Sequence, residues 1–103
     1  MKSILSDLAK QQIREIAKYI RKEFGKQRRD EFMQDIRETR RLIEQNPNIG
    51  PIEPLLADLS QTYHSYVMNS LNKIIYRIDD TTIYIADFWD VRREPGSLKS
   101  QVE

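Results

Sequence analysis

The sequence contains no cysteine, which excludes disulfide bonds and any chemistry that depends on a thiolate. It also lacks an apolar run of about 18 residues, the length that a membrane-spanning helix requires. The opening residues, Met1 to Asp7, hold too few apolar side chains for the hydrophobic region of a secretory signal. We therefore expect a cytoplasmic protein with no membrane partner.

Several common catalytic patterns are missing as well. There is no glycine-rich phosphate-binding loop, no set of residues at metal-ligand spacing and no Ser-His-Asp arrangement. His64 is the single histidine. The sequence therefore predicts neither a metal nor a cofactor, and it excludes the common nucleotide-binding and hydrolase classes.

The length of the chain indicates one domain, and its high fraction of charged residues indicates a highly solvated surface. With 103 residues, of which 39% are apolar and 32% charged, we predict a single domain over residues 1–103. The net charge of +1 hides an asymmetry, because residues 1–45 carry 12 Lys and Arg against 8 Asp and Glu, whereas residues 46–103 carry 5 against 8. The acidic second half argues against a simple nucleic-acid-binding surface there. In the first half opposite charges alternate, as in Arg14-Glu15, which predicts a solvated helix surface with ion pairs between neighbouring turns.

Two helices are predicted in the first half. Ser6 is a candidate N-cap, with Asp7 in the first turn. An apolar stripe at helical spacing follows and closes at Gly25; it comprises Ile13, Ile16, Ala17, Ile20 and Phe24. A second stripe marks a helix over about residues 28–45, and the short link predicts an antiparallel helical hairpin. Ile4 and Leu5 belong either to a short first strand or to a hydrophobic staple before the helix.

The second half predicts a β-meander. Pro47, Gly50, Pro51 and Pro54 make a rigid connector. Three runs rich in Tyr, Ile and Val follow at residues 63–68, 73–78 and 83–88, and the polar residues 79–82 read as a hairpin turn. We therefore predict an α+β fold in which the N-terminal helical hairpin packs on one face of a C-terminal antiparallel meander. The opposite face is expected to stay open as a groove for a partner.

The end of the last strand carries the most informative residues. The predicted strand runs directly into Trp89-Asp90-Val91-Arg92-Arg93. Two arginines after an aromatic residue place planar, cationic donors at the rim of the sheet. Such a rim suits the recognition of phosphate, a nucleobase or a carboxylate.

The order of these elements resembles the RelE/ParE superfamily of bacterial type II toxins. Four segments carry the resemblance: the helix opening Ser6-Asp7-Leu8-Ala9, the connector Asn46-Pro47-Asn48-Ile49-Gly50, the strand Lys73-Ile74-Ile75-Tyr76-Arg77-Ile78, and the final strand Ile83-Tyr84-Ile85 with its ending Trp89-Asp90-Val91-Arg92-Arg93. They are similar to the family's S-x-x-A opening, proline-glycine connector, R-I-x-Y-R-I strand and H-x-x-R-D ending. The sequence departs from the family in two places, since Trp89 stands where many relatives have histidine and Tyr63-His64 replaces a basic residue.

The resemblance implies a toxin that a cognate antitoxin holds inactive by wrapping it with a segment that folds on binding. It also implies that the complex binds promoter DNA through the antitoxin. ParE-like members poison DNA gyrase, whereas RelE-like members cut messenger RNA on the ribosome. The missing histidine and the acidic second half favour ParE-like gyrase inhibition. The alternatives are a ribosome-dependent mRNA endonuclease, which would make the chain an enzyme, and a non-toxic member that only binds its partner.

The endonuclease alternative names a catalytic set of Lys73, Arg77, Arg92 and His64. The cations would stabilise a pentacoordinate phosphate. His64 would serve as the base, because histidine is the side chain type best suited to proton transfer near neutral pH, and Asp87 is a second candidate for that role. Each residue also has a plainer interpretation. Lys73 and Arg77 lie four positions apart on a strand and share one face, which can simply be solvated. His64 can be an ordinary hydrogen-bonded residue, and Asp87 can pair with Arg77 across neighbouring strands.

A second set of residues is expected to contact a partner. Apolar side chains beside the sheet are candidate antitoxin contacts, because exposed apolar patches mark partner sites, and the two terminal arginines can pair with antitoxin acids. The set comprises Tyr84, Phe88, Trp89, Arg92, Arg93 and Leu98. For Trp89 two other interpretations stay open, namely stacking on a nucleobase and burial against the second helix.

Overall fold

The fold pairs a helical hairpin with a four-stranded sheet. The computed structural model describes residues 1–90. The elements are, in chain order, β1 (Lys2–Leu5), α1 (Asp7–Phe24), α2 (Lys26–Gln45), a one-turn 3-10 helix (Pro54–Leu56), β2 (His64–Val67), β3 (Asn72–Asp79) and β4 (Thr82–Asp90). The predicted α+β class and the predicted helices and strands are confirmed. No helix within residues 1–90 is long and apolar enough to cross a membrane.

The helical hairpin forms for the local reasons that the sequence suggests. Ser6 caps α1, its hydroxyl accepting the backbone N–H of Ala9 at 3.0 Å. Gly25 separates the two helices with φ of 94° and ψ of 173°, a conformation that is essentially restricted to glycine. The chain therefore reverses after one residue, and the apolar stripes of α1 and α2 meet the same face of the sheet.

The sheet has the strand order β1-β4-β3-β2. Strands β2, β3 and β4 form the predicted antiparallel meander, and β1 joins it parallel to β4, with Ser3 opposite Ile83. Ile4 and Leu5 are therefore part of a strand, and the sheet is mixed. The outer edge of β1 is occupied by side chains of α2, because Ser3 donates its N–H to Glu44 at 3.0 Å and accepts from Arg40 at 3.2 Å.

Apolar side chains cover both faces of the sheet. The larger cluster lies between the helices and the sheet and includes Ile13, Phe32, Ile36, Ile43, Ile74, Tyr76, Ile83, Ile85 and Phe88. A smaller cluster on the opposite face comprises Leu56, Tyr63, Ile75, Ala86 and Trp89. The prediction of an open opposite face is therefore wrong over the centre of the sheet. The reason is that the segment after the proline connector brings Leu56 across that face.

A β-bulge interrupts β4 beside α1. Ile75 lies opposite Asp87, but Tyr76 lies opposite Ile85, so that Ala86 is an extra residue on β4. Side chains from α1 and its cap bind the polar groups around the bulge. Gln12 accepts the N–H of Phe88 at 2.8 Å and donates to Asp87 at 2.7 Å, while the Ser6 hydroxyl donates to the carbonyl of Ala86 at 2.8 Å. These bonds fix the angle at which α1 crosses the sheet.

Candidate functional site

Lys73 lies on the sheet face opposite the helices, where its charge is neutralised by Glu53. The Lys73 Nζ to Glu53 Oε1 distance is 2.7 Å, and the two side chains are only 15% and 3% exposed. Glu53 is held in place by its backbone, whose N–H donates to the carbonyl of Tyr63 at 2.8 Å. This half-buried, ion-paired ammonium is available to a phosphate only if it leaves the buried Glu53 carboxylate.

Arg77 shares the face of Lys73, as predicted, and is also engaged. Its Nε lies 3.1 Å from both carboxylate oxygens of Asp79, and its Nη1 lies 3.5 Å from the hydroxyl of Tyr63. The guanidinium stacks over the ring of Tyr84, which faces it on β4, at 4.1 Å from the centroid. Burial opposes the charge, but the hydrogen bonds to Asp79 and Tyr63 outweigh it and raise the pKa of Arg77. Arg77 is thus a stable cation with partners already in place.

His64 lies on the other side of the sheet from these two cations. It pairs directly with Tyr76 across β2 and β3, and the two rings stack with centroids 5.2 Å apart at an angle of 17°. Its Nδ1 lies 2.8 Å from the carbonyl of Gly50, which only accepts, so Nδ1 carries the proton. The structure therefore does not bring His64 together with Lys73 and Arg77, and Arg92 lies outside the described residues.

Tyr76 organises the connector that the sequence identified. Its hydroxyl donates to the carbonyl of Pro47 at 2.6 Å and accepts the N–H of Gly50 at 3.1 Å. The side chain is fully buried, and this burial raises the pKa of Tyr76. Gly50 is needed here for space, since a Cβ would lie 2.5 Å from the carbonyl oxygen of Ser65 and 2.9 Å from the Tyr76 hydroxyl. The sequence analysis did not predict these contacts between Tyr76 and the connector. The tyrosine of the R-I-x-Y-R-I strand is the residue from which they could have been predicted.

Asp87 does not pair with Arg77, so the predicted cross-strand pair is wrong. The bulge places Asp87 opposite Ile75, and its fully buried carboxylate accepts from Gln12 of α1. Arg77 lies opposite Tyr84 instead. Asp87 therefore connects β4 to α1, a structural role of the kind that the plainer interpretation expected.

The predicted partner contacts divide into buried and half-buried residues. Phe88 and Trp89 are each 2% exposed, so the expectation that they are exposed is wrong. Phe88 packs edge-on against Phe32 at 5.9 Å, and Trp89 is buried as one interpretation expected, but in the cluster of Leu56 rather than against the second helix. Tyr84 is half-buried under Arg77. The remaining candidates, Arg92, Arg93 and Leu98, lie outside the described residues.

The most exposed aromatic side chains lie on the helices, where sequence reasoning placed no site. Tyr19 and Phe24 are 59% and 57% exposed and pack edge-on with centroids 6.3 Å apart. They line a groove of 570 Å³ between the helical hairpin and the β2–β3 turn, which Leu71 borders from the sheet side. Its charged side chains are mostly acidic and comprise Glu15, Arg28, Glu31, Asp35 and Asp90; Asn69, Ser70 and Asn72 complete its polar lining. We call it the acid-rimmed groove; an apolar patch within a polar rim is typical of a protein-binding surface.

A metal-dependent site is not formed by the described part of the chain. Within residues 1–90 there is no group of three or more His, Asp or Glu side chains arranged to hold a metal ion. Of the candidate catalytic cations that the sequence suggested, Lys73 and Arg77 lie within the described residues, and both are ion-paired.

Comparison with known proteins adds a family and a fold. One family model matches residues 4–95, and its description is ParE toxin of type II toxin-antitoxin system, parDE. The structure is similar to one from the chromosomal ParDE toxin-antitoxin system of P. aeruginosa, with a TM-score of 0.70, 16% identity, and coverage of 87% of this chain and 95% of that chain. It is also similar to the YoeB dimer from Staphylococcus aureus, with a TM-score of 0.57, 24% identity, and coverage of 85% and 93%. At these identities the two structures support the fold alone. No curated protein sequence matches significantly.

Proposed function

The chain belongs to the ParE toxin family of type II toxin-antitoxin systems, and we propose that it inhibits DNA gyrase in the cytoplasm by binding it and is neutralised by a cognate antitoxin. The match confirms the resemblance to the RelE/ParE superfamily that the sequence motifs indicated. The family leaves two modes of action open, gyrase inhibition and cleavage of messenger RNA on the ribosome.

The observation that favours gyrase inhibition over mRNA cleavage is the ion pairing of the two cations on the sheet face, Lys73 and Arg77. A metal-independent endonuclease needs cations that are free to bind the phosphate and a base beside them. Lys73 is held by Glu53, and Arg77 by Asp79 and Tyr63. Withdrawing Lys73 from the nearly buried Glu53 carboxylate would cost about 3–5 kcal/mol, which a substrate phosphate would have to offset. The candidate base, His64, faces the other side of the sheet.

The exposed surface of the helices supports a binding mode of action. Tyr19 and Phe24 are large, exposed aromatic side chains, and aromatic residues are enriched among those that dominate binding energy at protein interfaces. They border a groove that is already formed in the isolated chain. A toxin that acts by binding needs such a surface, whereas an endonuclease needs a free cationic pocket.

The test measures both activities of the same purified protein. We expect the chain to inhibit negative supercoiling by purified gyrase and to leave translation in a reconstituted ribosomal system unchanged at the same concentration. The matched variant is Glu53→Gln with Lys73→Met, which removes the cation while keeping the buried volume. We expect this double variant to inhibit gyrase as the wild type does.

The opposite result has a clear signature. Cleavage of messenger RNA in the ribosomal system, unimpaired supercoiling by gyrase and loss of cleavage in the double variant would together replace gyrase inhibition with the endonuclease function. A protein that does neither, but still binds its antitoxin, would be a non-toxic member of the family.

A further inference from the structure

The last described strand ends at the acid-rimmed groove. Asp90 is the final residue of β4 and lines the groove, as does Asn72, which lies opposite it on β3. The residues that follow Asp90 in the sequence, 91–99, lie outside the described part of the chain. The chain therefore enters residues 91–99 at the border of this groove.

The charge of the groove is negative and only partly compensated within residues 1–90. Its lining includes four carboxylates and a single cation, Arg28. Arg28 lies 4.0 Å from Glu31, which is too long for a hydrogen bond. The carboxylate of Asp35 has no ion-pair or hydrogen-bond partner among residues 1–90, and Glu15 accepts from the neutral amide of Gln11 at 3.1 Å. Such a groove favours a cationic ligand.

The groove also leaves large apolar side chains uncovered. Tyr19, Phe24 and Leu71 are 59%, 57% and 43% exposed, and all three line it. A ligand that fits both properties carries cations together with apolar side chains. Burial of the apolar surface stabilises such a complex, and charge complementarity determines its orientation.

Residues 91–99 have this composition. They contain three cations against one acid, together with two apolar residues other than proline and glycine; the cations are Arg92, Arg93 and Lys99, the acid is Glu94, and the apolar residues are Val91 and Leu98. The segment has a net charge of 3 − 1 = +2, whereas the charged side chains of the groove sum to 1 − 4 = −3. The segment and the groove are therefore of opposite sign.

The segment is also long enough to follow the groove. Ile16 and Phe24 line the groove from α1 and stand eight residues apart, which is about 12 Å along a helix axis. Eight extended residues span up to about 26 Å, so Leu98 can reach the exposed aromatic side chains. Arg93 follows Asp90 by three residues and cannot be farther from it than about 10 Å. A tether this short gives the segment an effective concentration in about the millimolar range.

We propose that residues 91–99 bind the acid-rimmed groove of their own chain, with the two arginines at its carboxylates and Leu98 against Tyr19, Phe24 and Leu71. The inference concerns the free chain and does not depend on gyrase inhibition. Its consequence is regulatory, because the bound segment covers the exposed aromatic side chains. A partner that uses this surface has to displace the segment first.

The absence of cysteine allows one spin label to report where the segment lies. In Ser100→Cys the label is attached one residue beyond the segment, and paramagnetic broadening is measured on the backbone amide signals of the whole chain. We expect the signals of Tyr19, Phe24 and Leu71 to be lost. The signal of Asp80 should be retained, because Asp80 follows the other end of β3, a strand about 23 Å long.

A mixture of two chains distinguishes binding within one molecule from binding between molecules. The spin-labelled chain is prepared without an isotope label and added to isotope-labelled wild type. Only contacts between different molecules can then broaden the observed signals. We expect the wild-type signals of the groove residues to be retained.

Two double variants with the same change in net charge test the role of the arginines. Arg92→Glu with Arg93→Glu is expected to restore the signals of the groove residues, because like charges then face each other. Arg21→Glu with Lys22→Glu is the matched control and should leave the signals lost, since neither residue lines the groove. The spectrum of each variant with its label reduced shows that it is folded.

Four results overturn the proposal. They are retention of the groove signals in the spin-labelled chain, loss of these signals in the mixture, equal effects of the two double variants, and loss of the Asp80 signal together with those of the groove. Loss in the mixture would make the groove a contact between two copies of the chain. Gyrase is absent from these measurements, so their outcome is independent of the proposed function.

Discussion

Replacing Lys73 with methionine is expected to destabilise the fold by about 3–5 kcal/mol, because it leaves the carboxylate of Glu53 buried without its partner. The side chain of Glu53 is 3% exposed, and its Oε1 lies 2.7 Å from the Lys73 ammonium. The main chain of Glu53 is held in place, since its N–H donates to the carbonyl of Tyr63 and its carbonyl accepts from the N–H of Leu56. For a domain of this size the change corresponds to a melting temperature lower by roughly 12 °C or more.

Substituting the other partner, alone and together with Lys73, distinguishes the energy of the ion pair from that of the surrounding packing. Glu53→Gln is expected to cost only about 1–2 kcal/mol, because Lys73 is 15% exposed and its flexible ammonium can reach solvent. The double variant with both changes is expected to lie within about 1 kcal/mol of the wild type, since neutral side chains of similar volume then replace the pair. The coupling energy between the two positions is therefore about 3 kcal/mol or more.

The assay is urea unfolding at neutral pH, followed by the fluorescence of Trp89. This tryptophan is the only one in the sequence and is 2% exposed, so its emission reports exposure of the cluster on the same sheet face. A Lys73→Met variant within about 1 kcal/mol of the wild type would refute the reasoning. So would a double variant as unstable as the single one, because the loss would then come from packing and not from charge.

Three further sites give predictions of the same kind. Tyr76→Phe removes a hydroxyl with two backbone partners and is expected to lower the free energy of unfolding by about 1–3 kcal/mol. Because burial raises the pKa of Tyr76 above 10.0, the wild type should also lose stability as the pH rises above that value, and the variant should lose less. Unfolding measured from neutral to alkaline pH tests both expectations. Gly50→Ala forces a Cβ to 2.5 Å from a carbonyl oxygen and should lower stability by about 2 kcal/mol or more, whereas a thermal midpoint equal to the wild type would contradict the close approach. Gln12→Leu unpairs the N–H of Phe88 and should cost about 2 kcal/mol, and unchanged protection of that amide in hydrogen exchange would count against it.

Local chemistry made the helices and hairpins predictable from the sequence. The Ser6 cap, the stripe of apolar residues and the positive φ of Gly25 act within a few residues of one another, and each is present in the structure. The contacts that were missed join distant parts of the chain. Strand β1 pairs with β4 across most of the sequence, and Glu53 meets Lys73 through the path of the segment that covers the sheet. Neither contact produces a periodic pattern in the sequence, because each depends on the path of the chain between distant residues, and tertiary packing determines that path.

The alternating charges of the helices are distributed over two different surfaces of the folded protein, which the sequence pattern did not predict. The alternation of Arg14 with Glu15 predicted a solvated face with ion pairs, and such a pair does form between Lys26 and Asp30 at the start of α2. On a helix, however, adjacent residues do not face each other. Arg14 accordingly lines a groove along the helical hairpin whose charged side chains are mostly cations, and Glu15 lines the acid-rimmed groove. The interleaved sequence therefore folds into two surfaces of opposite sign, and a change of sign at one position alters one groove without touching the other.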